Sequence, residues 1–150
     1  MSRPGEFVAG DVLAASEINA LPGGVYGYAE RTSSQTGITS ITDLTGLSVT
    51  VILPASRRIK ISAQVRTQQQ TSGGRIIGQI QESTTVLGTF ADDGNVAAAI
   101  RVLASGSAVI TPSSGSHTYK LTLSTSGGSV DAIAGATSPN FIVVEDLGAV

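Results

Sequence analysis

Two stretches of this chain alternate apolar and polar residues with a strict period of two, and that pattern fixes what the chain can fold into. From Gly46 to Leu53, Leu47, Val49, Val51 and Leu53 share one face, while Ser48 and Thr50 share the other. From Arg58 to Thr67, Ile59, Ile61, Ala63 and Val65 point one way, and Arg58, Lys60, Ser62, Gln64 and Arg66 the other. Side chains on a strand project to alternate faces, so each stretch is a half-buried β-strand with an apolar inner face. Pro54-Ala55-Ser56-Arg57 between them reads as a short hairpin connection. His117–Ser124 repeats the pattern, with Tyr119, Leu121 and Leu123 set against Thr118, Lys120 and Thr122. Weaker candidates are Val25–Arg31, Arg75–Gln81, Thr85–Phe90, Val96–Leu103, Ser107–Thr111, Ser129–Ile133 and Phe141–Asp146. The segment from Gly37 to Asp43 fits a loop or a strand.

Turn signals separate these runs. They are Ser72-Gly73-Gly74, Asp92-Asp93-Gly94-Asn95, Ser113-Ser114-Gly115-Ser116 and Ser126-Gly127-Gly128. Val96-Ala97-Ala98-Ala99-Ile100 favours helix by alanine propensity. The flanking turns and the Arg101-Val102-Leu103 that follows favour a strand, which is the reading adopted. Short strands at regular spacing with Gly/Ser turns predict an antiparallel, jelly-roll-like β-sandwich over residues 25–150. The chain has 150 residues and is 41% hydrophobic, enough for one domain with a core.

Residues 1–24 have a different character. Pro4, Gly5 and Gly10 make the first ten residues an extended arm. Asp11–Leu21 then carries Val12, Leu13, Ile18 and Leu21 at loose helical spacing. Asp11 is placed to cap this short helix, and Pro22-Gly23-Gly24 stops it. A helix of about three turns is marginal alone and needs a surface to pack on. Phe7, Val8, Val12, Leu13, Ile18 and Leu21 are therefore the candidate partner-binding residues.

Composition narrows the chemistry. The chain has no Cys, which excludes disulfides, zinc–thiolate sites and thiol catalysis. It has one histidine, His117, so a His-rich metal site within one chain is excluded. His117 follows a Ser/Gly loop and reads as a rim histidine near a strand end. Nothing in the sequence marks an acid and a nucleophile beside it. Asp92-Asp93 precedes Gly94, so it reads as a tight turn rather than a cation loop. Glu145-Asp146 reads as a solvated strand end. Arg57-Arg58 with Lys60 is the one basic cluster, read as a solvated face or a bridge to a neighbouring chain. Gln68-Gln69-Gln70 reads as a loop or hairpin end. The glycine pairs lie between strands, not at the strand-to-helix turn that cradles phosphate. A net charge of −2 and six aromatic residues argue against nucleic-acid binding. No apolar run approaches the roughly 18 residues of a membrane span, and no apolar region marks a secretory signal. No catalytic residue, cofactor or metal is expected. Only 13% of residues are charged, about half the usual share. That suits a protein which buries surface in an assembly.

The stretch Phe7-Val8-Ala9-Gly10-Asp11-Val12-Leu13-Ala14-Ala15-Ser16-Glu17-Ile18-Asn19-Ala20-Leu21 resembles the leader of many tailed-phage virion proteins. Further along, Gln35-Thr36-Gly37-Ile38, Thr42–Thr50 (TDLTGLSVT), Arg57-Arg58-Ile59-Lys60-Ile61 and Val143–Gly148 (VVEDLG) resemble small accessory proteins of phages infecting actinobacteria. Such proteins serve as minor tail, head-fibre or capsid decoration proteins. The resemblance implies an anchor that binds the virion through residues 1–24 and a jelly-roll-like domain that often trimerises. The implied partner is the major capsid protein or a tail protein. The implied location is the particle surface, after synthesis in the host cytoplasm. The chain is short for a receptor-binding fibre, which favours a decoration or minor capsid protein. A minor tail protein, or a module binding a host-surface carbohydrate, is the alternative.

Overall fold

A computed structural model of the protein describes residues 23–71 and 73–150. Ten strands run through them: β1 (Gly24–Arg31), β2 (Gln35–Ile38), β3 (Thr42–Leu53), β4 (Arg57–Gln69), β5 (Gly74–Glu82), β6 (Thr85–Val96), β7 (Arg101–Ile110), β8 (Gly115–Thr125), β9 (Val130–Ile133) and β10 (Asn140–Ala149). The chain is mainly β and its pairings are antiparallel. The expected short helix over 11–21 lies outside the described residues.

The strands form two sheets. In the first, β1 pairs β10 and β10 pairs β4, while β7 lines the opposite side of β4. The far half of β4 pairs β9, which in turn pairs β2. The second sheet runs β3-β8-β5-β6. The alternating faces expected from the sequence are the faces that meet. Leu47, Val49, Val51 and Leu53 of β3 and Ile59, Ile61, Ala63 and Val65 of β4 are all buried. They join Ile76 and Ile80 of β5, Tyr119, Leu121 and Leu123 of β8, and Ile142 and Val144 of β10 in one core.

The sandwich closes along both sides. β1 packs on β3, and β7 packs on β6. Both seams need a residue without a side chain. At Gly27 an added Cβ would collide with Val49 and Val51 of β3. At Gly106 it would lie 2.7 Å from Phe90 Cα and 2.9 Å from Thr89 O, both of β6.

Local expectations are corrected at three places. Residues 54–56 do not close a hairpin, because β3 and β4 lie in different sheets; they form an arch between the two layers, with Ser56 at a positive φ of 59°. Asp92-Asp93-Gly94-Asn95 is not a turn but part of β6, where Ile76 pairs Asp93 and Ile77 pairs Asp92 beside a register shift. The pairing accommodates the turn-forming sequence as an irregular strand. Residues 97–100 are an exposed turn rather than the start of a strand, and Ala99 has a φ of 63°. The expected strands at 96–103 and 107–111 are replaced by one strand, β7. The open segment after Gly37 resolves into the end of β2, a bend and the start of β3.

The Gly106 seam tolerates no bulk. Gly106→Val should cost about 2–3 kcal/mol in denaturant unfolding, from overpacking against backbone that cannot rotate away. Gly94→Ala, whose Cβ meets nothing within 4 Å, should cost under about 0.5 kcal/mol in the same assay.

Candidate attachment site

Phe7, Val8, Val12, Leu13, Ile18 and Leu21 lie outside the described residues. What the structure does define is the place of Gly23, the first described residue. There the side chain of Asp146, only 1% exposed, sits at the centre of a polar cluster. Arg57 forms an ion pair with it through Nη2 and also donates from Nε to Oδ1 at 3.1 Å. The backbone N–H of Gly148 donates to Oδ1 at 2.9 Å, and that of Gly23 donates to Oδ2 at 2.7 Å. The Tyr26 hydroxyl donates to Oδ2 at 3.4 Å. The first described residue is thus tied to the last strand. Its neighbour Gly24 already pairs with Asp146 in the ladder between β1 and β10.

Two expectations change here. Glu145-Asp146 is not a solvated strand end: Asp146 faces inward and is buried, and Glu145 faces out. Arg57 is not on a solvated face: it is buried and pairs with Asp146 of its own chain. The electrostatics fit this placement. Burial works against the charged carboxylate of Asp146, but the hydrogen bonds from Arg57, Gly148 and Gly23 outweigh it and hold the pKa below the usual range. Arg57 is pushed up, chiefly by its hydrogen bond to Asp146.

The strand registers show what surrounds this root. β1 begins here and β10 ends here, and the N–H of Val150 donates to the Ser56 carbonyl in the arch. Leu53 at the end of β3 pairs Gly115, and Ile110 at the end of β7 pairs Ile59. The arch, the 111–114 loop, the start of β1 and the C-terminal strand end therefore share one end of the sandwich. Val25, Ile52, Leu147 and Val150 at this end are exposed, Ile52 by 80%.

His117 lies near the same end and is a rim residue, as expected, but it is occupied. Its Nδ1 is 2.7 Å from Glu82 Oε1, and its Nε2 is 2.9 Å from the Ser113 carbonyl oxygen. The ring stacks on Tyr119 at a centroid distance of 6.0 Å. Ser113 contributes its carbonyl rather than its hydroxyl, so these residues do not form the nucleophile–base relay of acyl-transfer sites. Their geometry ties the end of β5 and the 111–114 loop to β8. Tyr119 beneath is fully buried, and its hydroxyl has no hydrogen-bond partner among the described residues. Burial, reinforced by the Glu82 charge, pushes its pKa up to about 12.

Elsewhere, the carboxylate of Asp92 accepts two hydrogen bonds from Arg75, at 2.6 and 2.7 Å, in an exposed pair that spans β5 and β6. Gln69 is not in a loop. It is fully buried at the end of β4, where its amide donates to Thr125 Oγ1 and the Gly127 carbonyl. Among the described residues, no group of three or more His, Asp or Glu side chains is placed to hold a metal ion.

No protein-family model and no curated protein matches the chain. Similar solved structures include the VP2 subviral particle protein of infectious bursal disease virus, at 15% identity and a TM-score of 0.45 over 82% of this chain. The chain spans 37% of the length of that protein. A tumour-necrosis-factor protein, Eiger, from S. frugiperda is similar at 8% identity and a TM-score of 0.47, covering 84% of this chain and 95% of that one. A carbohydrate-binding module from Cellvibrio mixtus lichenase 5A shows 19% identity and a TM-score of 0.36, covering 81% and 97% of the respective chains.

Asp146→Asn should cost about 3–5 kcal/mol, because it leaves the buried Arg57 cation without its counter-charge. The pH dependence has a definite sign. The folded-state pKa of Asp146 is lowered, so its stabilisation is complete above the unfolded carboxylate value of about 4 and disappears as pH falls through the folded value. Chemical unfolding between neutral and acid pH should show a steeper loss for the wild type than for the Asn variant. Tyr119→Phe should be neutral or stabilising at pH 7, since it removes a buried hydroxyl without a partner. The raised pKa of Tyr119 means its stabilisation is present below about 10 and fades as pH rises through about 12. The Phe variant should therefore unfold less readily than the wild type in strong alkali, as followed by circular dichroism.

Proposed function

We propose that this chain is a non-enzymatic structural protein of a tailed-phage virion. In this reading it is a trimeric capsid decoration or minor capsid protein whose residues 1–24 dock on the major capsid protein. Its body is a jelly roll. If β2 and β9 are taken as continuations of β1 and β10, the two sheets become β1-β10-β4-β7 and β3-β8-β5-β6. That order is the eight-stranded, double-sheet arrangement of jelly rolls.

The observation that carries the reading is the root of the leader. Asp146 fixes where residues 1–22 leave the body, and the exposed apolar residues Val25, Ile52, Leu147 and Val150 lie at that same end. A leader with apolar residues at helical spacing and an apolar body end around its root together offer one docking face. Isolated exposed apolar residues need no explanation, but several gathered at one end do. The mechanism is cementing: contacts made only on the assembled particle stabilise it by mass action. Three leaders on one trimer would bind with avidity beyond that of a single arm.

The alternative, a minor tail protein or a module binding a host-surface carbohydrate, draws on Tyr28. It is the one tyrosine more than half exposed among the described residues, and its ring lies 6.0 Å from that of Phe141.

Removing residues 1–22 keeps Gly23 and its bond to Asp146. The shortened protein should keep the β-sheet signal in its circular dichroism spectrum and a cooperative unfolding transition, and lose binding to purified particles. The double variant Leu13→Asp, Ile18→Asp should lose binding in the same way. Full decoration by either would overturn the anchor assignment. Quantitative mass spectrometry of particles should find hundreds of copies for a head protein; a handful would move the assignment to the tail.

A further inference from the structure

We infer that the outward face of the six-stranded sheet is the contact surface between copies of this chain, with opposite margins of the face meeting. The inference deepens the oligomeric part of the reading above and rests on it.

The registers lay this face out in rows. One row runs Val25, Glu145, Lys60, Val109, and the next Tyr28, Val143, Ser62, Ser107. The third runs Glu30, Phe141, Gln64, Ser105. Beyond it Arg66 pairs Leu103, and Gln68 pairs Arg101. The middle of the face carries one charged pair, Glu145 opposite Lys60 on the adjacent strands β10 and β4; its next two rows, Val143 with Ser62 and Phe141 with Gln64, are uncharged. Its two margins are opposite in charge.

On the β1/β10 margin the outward charges are Glu30 and Glu145, and β10 carries no cation at all. The cation of β1, Arg31, is engaged within the chain, donating to the carbonyls of Thr45 at 2.7 Å and Ser33 at 2.6 Å. On the β4/β7 margin the outward charges are Arg58, Lys60, Arg66 and Arg101, and neither strand contains an acid. Each margin also exposes apolar side chains: Tyr28 is 52% exposed on one, Leu103 57% on the other.

A chain of such low charge would be expected to intersperse its few ions for solubility. Segregating them by sign across one sheet face makes the face complementary to itself. The acidic margin of one copy fits the basic margin of the next, and Tyr28 is brought toward Leu103. A contact between unlike patches of identical chains is head-to-tail, and it closes into a ring when the rotation permits. Three copies would close the trimer. Like-signed margins repel, which selects this pairing against its mirror arrangement.

The test uses the full chain, with mass measured by light scattering and native mass spectrometry across protein and salt concentrations. The wild type should be a closed oligomer, with a trimer expected, that loosens as salt screens the margins. Two variants reverse one margin each: Glu30→Arg with Glu145→Arg, and Arg66→Glu with Arg101→Glu. Each should raise the dissociation constant at least about tenfold with an unchanged circular dichroism spectrum. The variant carrying all four changes restores opposite margins and should assemble again. If the single-margin variants assemble like the wild type, this surface is wrong while the oligomeric reading stands. A wild type that is monomeric at every concentration overturns both, while particle binding by the intact leader would leave the attachment reading in place.

Discussion

The two seams along which the sheets close on each other govern the rest of this structure. A sandwich buries its core only if its open sides are covered, and this chain has few bulky or charged side chains with which to cover them. It brings glycine backbone close instead, against side chains at one seam and against backbone at the other. Gly27 lets β1 lie against Val49 and Val51 of β3, and Gly106 lets β7 lie against Phe90 of β6. With both sides sealed, the inward rows of β3, β4, β5, β8 and β10 exclude water together. Burying a single aliphatic side chain contributes roughly 1.5–3 kcal/mol, so such rows supply the dominant favourable term. The same closure leaves the outer faces of both sheets as the broad surfaces on which partners can be met.

The buried pair of Arg57 and Asp146 has a different role. Desolvating two ions is expensive, and an apolar pair of similar volume would stabilise the fold as well or better. What the pair adds is geometry. Asp146 accepts from a side chain of β4, from Gly148 of its own strand and from Gly23 ahead of β1. An apolar cluster has no directional preference and would let the chain slide; a carboxylate with these donors fixes one position. The position of Gly23 is thereby set by hydrogen bonds rather than by packing alone.

Much of the fold was legible in the sequence because period-two alternation is a local signal. β3, β4 and β8 were readable from Leu47–Leu53, Ile59–Val65 and Tyr119–Leu123 alone. Alternation reports which face of a strand is buried, not which sheet it joins, so the arch at residues 54–56 looked like a hairpin. Asp92–Asn95 has turn chemistry, yet pairing with β5 carries the strand through it. In residues 97–100 neither helix nor strand propensity decided the outcome; the turn follows from how β6 hands over to β7. The leader's candidate residues were marked by composition, while its root was not. Arg57 and Asp146 are 89 residues apart, and each alone looks like an ordinary surface ion. Gln69 was missed for the same reason, since its partners Thr125 and Gly127 come from a distant loop.

Charge placement links these points. With nine cations and eleven acids in 150 residues, each ion's position carries weight. Arg57 and Asp146 lie inside, where Asp146 holds Gly23 in place. Arg75 and Asp92 pair across β5 and β6, and Lys120 lies 2.9 Å from a carboxylate oxygen of Asp43 on the outer face of the same sheet. That sheet therefore has ion pairs closed within the chain. On the outward face of the other sheet Glu30, Arg66 and Arg101 make no salt bridge with one another, and the acids stand on β1 and β10 while the bases stand on β4 and β7. Glu145 and Lys60 are neighbours across β10 and β4, but electrostatic attraction falls off within about 10 Å in salt water, so the outermost charges, Glu30 and Arg101, do little for each other across the face. They become effective when a second surface brings the opposite sign into contact. The difference between the two faces is thus a difference in what each was left able to bind.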